Sequence, residues 1–397
     1  MPHPFQSLMT GELSRRAEAG QLRGRRAVRP LDAVHVEIDA RRYVNFCSNN
    51  YLGLTHHPAV IEATRRAAGE LGAGAGAAGL ISGYTTVHAS AESAIANWKG
   101  AEASILLPSG YQANQAAIQT LAAIGKTNPA GVRFLVDKLA HASLLDAVGA
   151  ADVPWRVIPH NGLAKLRRLL SEADPAQIQI VVTESIFSMD GDAVDLIRML
   201  RIKQDFPFIL LLDEAHGSGV YGEAGAGYAA ELGVRDQVDI SVVTFSKSAG
   251  CVGGAICSSR EFRDAVLNFG RAYIYSTSPA PAAAAGIEAA IGVMRDEPGR
   301  QRRVRELAGR VRGKLSAGGV ALPPGDSPIV PVIVGEESAA LVLSDRLAEN
   351  GLLVQAVRPP TVARGTSRLR VTLSCEHSDE EVDRLIELLL SAKRAAN

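Results

Sequence analysis

Residues 208–217 read FILLLDEAHG and residues 240–250 read ISVVTFSKSAG. Each stretch opens with a short, largely apolar run, Phe208–Leu212 in the first and Ile240–Phe245 in the second. Runs of this kind are typical of parallel strands that are covered by helices on both faces. The segment between them has the length of one strand–helix–strand step. Asp213 and Lys247, which follow the two runs, are therefore expected to face one crevice at the carboxyl edge of a sheet.

The same alternation extends along the first two thirds of the chain. Short apolar runs lie at Ser104–Leu107, Phe134–Val136, Ile178–Thr183 and Gly254–Cys257. Helical segments lie between the runs, at His57–Glu70, Ala89–Trp98, Gln112–Ala123 and Asn161–Ser171. This order predicts an α/β fold with a large, doubly wound, mainly parallel sheet and right-handed crossovers.

The two ends of the chain have other patterns. Residues 8–22 predict an amphipathic N-terminal helix, and strands are expected at Val34–Ile38 and Tyr43–Phe46. After Ala282, helices are predicted at Ala283–Met294, Gln301–Leu315 and Ser338–Glu349 and from Ser378 onward, with strands at Ile329–Val334, Leu352–Val357 and Arg368–Leu373. We interpret the chain as an N-terminal segment (1–48), a large domain (49–285) and a smaller α+β C-terminal domain (286–397).

The composition argues against several classes of partner. Lys+Arg and Asp+Glu both number 42, so no basic excess points to a nucleic acid. Neither a signal segment nor an apolar run of membrane-spanning length is apparent, which predicts a cytoplasmic protein without a membrane partner. The four cysteines (Cys47, Cys251, Cys257 and Cys375) have neither a C-x-x-C pair nor metal-ligand spacing, so no metal is expected.

Two motifs that usually indicate nucleotide binding lack the neighbouring sequence that such binding needs. Gly74–Gly79 matches G-x-G-x-x-G, but a helical segment precedes it, whereas a dinucleotide site needs a strand there. Asp213–His216 reads DEAH, as in ATPases, but those enzymes also need a P-loop. The one Gly-Lys-Thr, at Gly125–Thr127, has Thr120 where the P-loop requires its first glycine.

The remaining pattern fits pyridoxal 5'-phosphate (PLP). This cofactor needs a lysine for its aldehyde and a carboxylate that keeps its pyridine nitrogen protonated. Lys247, set among small residues at a strand end, and Asp213 meet these two needs, and His216 would point into the same crevice. Asp213 alone would fit a structural cap about as well.

PLP also needs donors for its phosphate and a flat partner for its ring. Ser109-Gly110-Tyr111-Gln112 follows a strand and opens a helix, where backbone amides can approach an anion closely. His141, among small residues after the strand Phe134–Val136, could stack on the ring, although without the other motifs a core histidine would be the preferred interpretation.

The motifs and their order resemble the α-oxoamine synthases. The segments that carry the likeness are Ser109–Gln112, His141–Leu145, Phe187–Asp192, Asp213–Gly217 and Thr244–Lys247, and the resemblance extends from about Leu13 to Leu389. These acyltransferases are PLP enzymes of fold type I, the aspartate-aminotransferase-like fold. They condense an amino acid with an acyl thioester and release carbon dioxide.

The resemblance implies a role for each matching residue. Lys247 would form the Schiff base and move protons, Asp213 would pair with the pyridinium, and His141 would stack on the ring and border the substrate. Ser188 and His216 would contact the phenolic oxygen. The phosphate would be held by Gly110, Tyr111 and Thr244, together with Thr277 of a neighbouring subunit. Asn49 and Arg370 would take the amino-acid carboxylate, and Arg23 and Thr361 would lie near the acyl substrate.

Within the family, the likeness is greatest to the member that condenses L-alanine with a pimeloyl thioester, on acyl carrier protein or CoA, in biotin biosynthesis. It rests on Asn49–Pro58, Ser82–His88, Tyr275–Ser278 and Arg358–Val362. The chain departs from the common pattern at Asn50, Gly162 and Ala77–Leu80, which affects the acyl contacts.

Members that use glycine (glycine C-acetyltransferase, 5-aminolevulinate synthase) or make sphingoid bases or autoinducers remain alternatives, as does a non-catalytic protein of the same fold. A homodimer with a shared site is also implied.

Overall fold

The computed structural model describes residues 3–18 and 20–396, and most of its strands fall on the apolar runs of the sequence. In chain order the strands are β1 (Arg29–Pro30), β2 (His35–Ile38), β3 (Arg41–Asn45), β4 (Ala103–Leu107), β5 (Val132–Asp137), β6 (Trp155–Ile158), β7 (Ile178–Glu184), β8 (Ile209–Asp213), β9 (Ile240–Thr244), β10 (Gly254–Ser258), β11 (Ile329–Gly335), β12 (Leu352–Leu353), β13 (Gln355–Val357) and β14 (Ser367–Thr372). The helices are α1 (Pro4–Glu18), α2 (Pro58–Leu71), α3 (Thr86–Lys99), α4 (Gly110–Gly125), α5 (Ala142–Ala150), α6 (Leu163–Ser171), α7 (Leu196–Asp205), α8 (Tyr228–Glu231), α9 (Arg260–Phe269), α10 (Arg271–Ile274), α11 (Pro281–Asp296), α12 (Gly299–Ala317), α13 (Glu337–Glu349) and α14 (Asp379–Ala396).

The central sheet has seven strands in the order β4-β10-β9-β8-β7-β5-β6. Neighbouring strands are parallel except for β10, which is antiparallel to both β4 and β9. The predicted doubly wound, mainly parallel sheet is therefore confirmed. Its register places Glu184 beside Asp213, and Asp213 beside Val242, so β7, β8 and β9 deliver their last residues to one edge.

Helices cover both faces of this sheet because successive side chains of a strand point in opposite directions. On β5, Phe134 and Val136 pack in one cluster with Leu144 of α5, whereas Leu135 packs in a second cluster with Leu166 of α6. All three β5 side chains are completely buried. This double burial explains why the runs are apolar throughout.

Two smaller sheets lie outside the central one. Strands β1, β2, β3 and β12 form one, and β11, β14 and β13 form the other. The expected strand Leu352–Val357 is wrong as a single element, since Leu352–Leu353 pairs with β3 and Gln355–Val357 pairs with β14. The division into residues 1–48, 49–285 and 286–397 stays a prediction.

The N-terminal helix also differs from the expected one. It spans Pro4–Glu18 instead of 8–22, and residue 19 lies outside the described residues. None of its residues is buried, so among the described residues no element covers a face of this helix. Within the described ranges, no helix combines the length and the apolar character needed to cross a membrane.

A buried ion pair joins α3 to the segment that follows β8. Lys99, the last residue of α3, pairs with Glu214, and the two side chains are only 4% and 2% exposed. Lys99 Nζ also donates to Ser218 Oγ at 3.2 Å, and Glu214 Oε1 accepts from the Ala229 amide at 2.9 Å. Because both charges are compensated, the pair can hold the residues next to Asp213 in place.

We expect Lys99→Met to lower the free energy of unfolding by about 3–5 kcal/mol, because it leaves Glu214 buried without its cation. Urea denaturation followed by circular dichroism measures the change. Arg65→Met is the control, since Arg65 pairs with Glu62 on the surface of α2 and should shift the midpoint little. Equal losses in the two variants would contradict a stabilising role for the buried pair.

Candidate functional site

Asp213 is held in a fixed orientation at the carboxyl edge of the sheet. It is the last residue of β8 and is 5% exposed. Its Oδ2 accepts from Asn114 Nδ2 at 2.7 Å, and its Oδ1 accepts from the Ala215 amide at 2.8 Å. Asn114 lies on α4 and also donates to Ser143 Oγ at 2.9 Å. These neutral donors orient the carboxylate without pairing its charge.

Lys247 and His216 lie in contact beside this carboxylate. Lys247 Nζ is 2.9 Å from His216 Nε2, and His216 Nδ1 is 2.6 Å from the Tyr51 hydroxyl. Burial lowers the pKa of Lys247 to about 8, although the nearby charge of Asp213 opposes this change. Burial also lowers the pKa of His216 well below its ordinary value and raises that of Tyr51 to about 12. The amine is thus readily neutral and able to act as a nucleophile or a base.

A second buried carboxyl group lies next to Asp213. Glu184 ends β7, is 2% exposed and is the register partner of Asp213. Burial, reinforced by the negative charge of Asp213, raises the pKa of Glu184 well above its ordinary value. Burial therefore disfavours a negative charge on Glu184 beside Asp213.

His141 borders the same crevice from the start of α5. Its Nδ1 accepts from the Ser143 amide at 3.2 Å and lies 2.8 Å from Ser143 Oγ. Because Ser143 also accepts from Asn114, His141 and Asp213 belong to one hydrogen-bond chain. Burial lowers the pKa of His141, which favours a neutral, flat imidazole.

The first turn of α4 forms a cradle with little room for side chains. Gly110 opens the helix after the cap residue Ser109, and a Cβ at Gly110 would lie 3.0 Å from Thr244 Cβ. A Cβ at Gly254 would lie 2.4 Å from the Gly110 nitrogen. The Thr244 and Ser246 hydroxyls are 3.0 Å apart at this end of the crevice. Backbone donors at a helix start beside two hydroxyls suit an anion such as a phosphate.

Tyr111 and Thr277, the other two predicted phosphate residues, are exposed in the single chain. The Tyr111 hydroxyl donates to Asp146 at 2.8 Å. Thr277 forms a backbone bridge with Ala78, which places it beside the turn Gly79–Gly83.

Arg370 lies opposite, on β14, with Asn49 and Ser188. Its side chain is buried, its Nε donates to the Ser188 carbonyl at 2.6 Å, and its Nη1 donates to Asn49 Oδ1 at 3.1 Å. The charge of Arg370 and a hydrogen bond with it lower the pKa of the buried Tyr51 hydroxyl, against the effect of burial. Because the same hydroxyl contacts His216, Tyr51 links Arg370 to His216. The structure therefore places Arg370 and Asn49, the residues predicted to bind the amino-acid carboxylate, close to Lys247.

The predicted acyl residues, Arg23 and Thr361, are exposed and belong to segments that lie close together. Arg358 Nη1 donates to the Gly20 carbonyl at 2.6 Å, which joins the two segments. Within the described chain, neither the Arg23 nor the Thr361 side chain makes a hydrogen bond to the residues around Lys247 that would draw it into the crevice.

Sequence reasoning missed three residues that orient the site: Asn114, Glu184 and Tyr51. Glu184 ends an apolar run as Asp213 does, and that signal could have identified it. Asn114 is flanked on α4 by other polar residues, Gln112 and Gln115, so no local pattern marks it. Tyr51 lies within Asn49–Pro58, a stretch that carries the family resemblance, but its contact with His216 joins distant parts of the chain.

A family model, aminotransferase class I and II, matches residues 41–389. The chain is similar to serine palmitoyltransferase from Sphingomonas wittichii, with 31% identity and a TM-score of 0.90 over 98% of this chain and 97% of that chain. It is also similar to a high-resolution structure of SPT with a PLP internal aldimine, with 27% identity and a TM-score of 0.91 over 99% of each chain. 8-amino-7-oxononanoate synthase from Francisella tularensis shares the fold, with 23% identity and a TM-score of 0.77 over 89% of this chain and 98% of that chain.

The lowered pKa of Lys247 predicts its reactivity in protein stripped of small molecules. We expect half-maximal labelling by a small amine-reactive reagent near pH 8, because the neutral amine predominates above the folded-state pKa. The same residue in the urea-unfolded chain should need a pH of about 10.4. Peptide mass spectrometry gives both profiles, and coincident profiles would refute the effect of burial.

Proposed function

The chain belongs to the aminotransferase class I and II family, and on that premise we propose that it is a PLP-dependent α-oxoamine synthase. Such an enzyme joins an amino acid to an acyl thioester and releases carbon dioxide. The observation that carries the proposal is the convergence of a readily neutral Lys247, the oriented carboxylate of Asp213 and the guanidinium of Arg370 at one edge of the sheet.

The residues of the crevice fit PLP. Lys247 would hold the cofactor's aldehyde carbon, Asp213 would face its pyridine nitrogen, and His141 would lie against its ring. Ser188 and His216 would contact the phenolic oxygen. The cradle of Gly110, Tyr111 and Thr244 would take the phosphate, where a Cβ at Gly110 or Gly254 would intrude. When bound, PLP withdraws electron density from the amino-acid Cα.

This chain's own side chains would then handle the substrates and protons. Arg370 and Asn49 would bind the amino-acid carboxylate, because a guanidinium grips a carboxylate with two parallel hydrogen bonds. Lys247, whose pKa burial lowers to about 8, would remove the Cα proton and later return one to the same carbon. His216, held by Tyr51, would keep the amine pointed at that carbon.

For the substrates we propose L-alanine and a pimeloyl thioester, on acyl carrier protein or CoA, which would make the protein an 8-amino-7-oxononanoate synthase of biotin biosynthesis. The stretch Arg358–Val362 supports this choice, and the Arg358–Gly20 contact keeps that stretch near Arg23. Both segments would border the acyl chain.

A second candidate is a serine-dependent condensation. The similarity to serine palmitoyltransferase at 31% identity and full length favours it. Serine and alanine differ by one hydroxyl group, so the two candidates share every step proposed above and differ in the amino acid and the acyl chain.

We further propose a homodimer with a shared site. The turn Gly79–Gly83 exposes Leu80 and Ile81, which are 50% and 81% exposed, and Tyr275 nearby is 73% exposed. Thr277, predicted to act in the neighbouring site, bridges Ala78 beside this turn. A second copy would cover the patch and supply the threonine.

Titration of the holoenzyme with amino acids tests the substrate assignment. We expect L-alanine to change the cofactor absorption at the lowest concentration, and pimeloyl-CoA with alanine to yield the amino ketone by mass spectrometry. A stronger response to L-serine, with a product formed from palmitoyl-CoA, would establish the second candidate instead. A preference for glycine would exclude both.

Substitutions test the cofactor assignment. Lys247→Ala should abolish the near-visible absorption band of lysine-bound cofactor, and Asp213→Asn should keep weak cofactor binding but lower kcat by about a hundredfold or more, because the electron sink weakens. Lys314→Ala, at an exposed position of α12, is the matched control and should behave as the unmodified protein. A persisting band in Lys247→Ala would refute the assignment.

A further inference from the structure

The loop Phe187–Asp192 is a tight turn that reaches from the central sheet to the C-terminal sheet. The Phe187 amide donates to the Asp192 carbonyl at 2.9 Å, and the Gly191 amide donates to the Phe187 carbonyl at 2.8 Å. Gly191 has φ +66°, and a Cβ there would lie 2.3 Å from the Ile329 carbonyl oxygen. The loop therefore packs directly against β11.

The C-terminal sheet grips this loop through two buried arginines of one strand face. Arg370 Nε donates to the Ser188 carbonyl at 2.6 Å, and Arg368 pairs with Asp190. Ser327 Oγ donates to the Gly191 carbonyl at 2.6 Å. The Ser188 carbonyl is thus one of the groups that orient the Arg370 guanidinium, together with Asn49 and Thr372.

On the other side, His160 ties the loop to the central sheet. His160 Nε2 lies 2.7 Å from Asp192 Oδ2, and its Nδ1 lies 3.2 Å from Asp137 Oδ1. Its ring meets the Phe187 ring edge-on, with centroids 4.3 Å apart. Asp137 is itself fixed, since it ends β5 and accepts from the Leu139 amide at 2.8 Å and the Asn161 amide at 3.0 Å.

The electrostatics favour a charged His160. Burial opposes the charge, but hydrogen bonds to Asp137 and Asp192 outweigh it and raise the pKa of His160 to about 10. A cation between two carboxylates makes both contacts charge-assisted, and such hydrogen bonds are stronger than neutral ones.

We propose that His160 is a positioning residue for the amino-acid substrate: by bridging Asp137 and Asp192 it fixes the loop whose Ser188 carbonyl orients Arg370. The inference rests on the proposed function in taking Arg370 as the carboxylate-binding group. His160 itself contacts neither the lysine nor the carboxylate-binding guanidinium, and it acts through the loop.

The test measures amino-acid affinity by spectral titration of the holoenzyme with L-alanine, L-serine and glycine. His160→Ala should raise the apparent Kd of the preferred amino acid about tenfold, because both charge-assisted contacts that fix the loop are lost. The KM for the acyl thioester should change less than twofold, because the segments of Arg23 and Thr361 lie outside this loop. The holoenzyme should keep its lysine-bound cofactor, because Lys247 and the cradle at α4 are untouched. Asp192→Asn, which keeps the side chain's size, should weaken amino-acid binding in the same direction.

His35 offers a matched control. It also bridges two carboxylates, with Nδ1 2.8 Å from Asp32 and Nε2 2.7 Å from Glu381, and its side chain is 19% exposed against 25% for His160. His35→Ala should lower the Tm by about as much as His160→Ala does, yet leave the amino-acid Kd unchanged.

Three outcomes would overturn the inference. The first is an unchanged Kd in both His160→Ala and Asp192→Asn, and the second is an equal rise in His35→Ala, which would indicate general loosening. The third is the absence of a spectral response to any amino acid in unmodified holoenzyme, and that result would reject the proposed function together with the inference. In the first two cases the proposed function stands.

Discussion

The parallel pairing of β8 with β9 is the constraint on which the site depends. It aligns Asp213 with Val242, so the segment that carries Lys247 leaves the sheet beside the carboxylate. Strand β7 extends the alignment and adds Glu184. A slip of one residue in either pairing would turn Asp213 or Glu184 toward the opposite face, because side chains alternate along a strand.

Around this edge, burial without full charge pairing sets the chemistry. The Asp213 carboxylate receives neutral donors from Asn114 and Ala215, and the amine of Lys247 meets a histidine whose pKa burial has lowered. Elsewhere the chain compensates buried charge directly, as in the Lys99–Glu214 pair. The contrast separates groups that hold the fold from groups left free to react with a ligand.

Sequence patterns predicted the central sheet well, but they predicted poorly the side-chain hydrogen bonds of the site at its edge. The apolar runs located most of its strands, whereas β6 was missed because Arg156 and Val157 lie exposed at the sheet edge and leave no such run. The segment Leu352–Val357 divides between two sheets, which no local periodicity can indicate. Asp213 and Lys247 were identifiable by their places at strand ends. Asn114, the partner of Asp213, and Tyr51, the partner of His216, were not, since these contacts join residues 99 and 165 positions apart.

The reversed direction of β10 has a consequence for how this protein can change over evolution. Because β10 runs against β9, its first residue, Gly254, abuts the start of α4, where a Cβ would lie 2.4 Å from the Gly110 nitrogen. The short connection from residue 248 to 253 sets which residue arrives there. Deleting one residue from it would bring Ala255, which has a Cβ, to a place where only bare backbone fits. Val252 in this connection is 67% exposed, yet the length of the connection should be as constrained as a core position. Most surface turns, in contrast, tolerate changes in length.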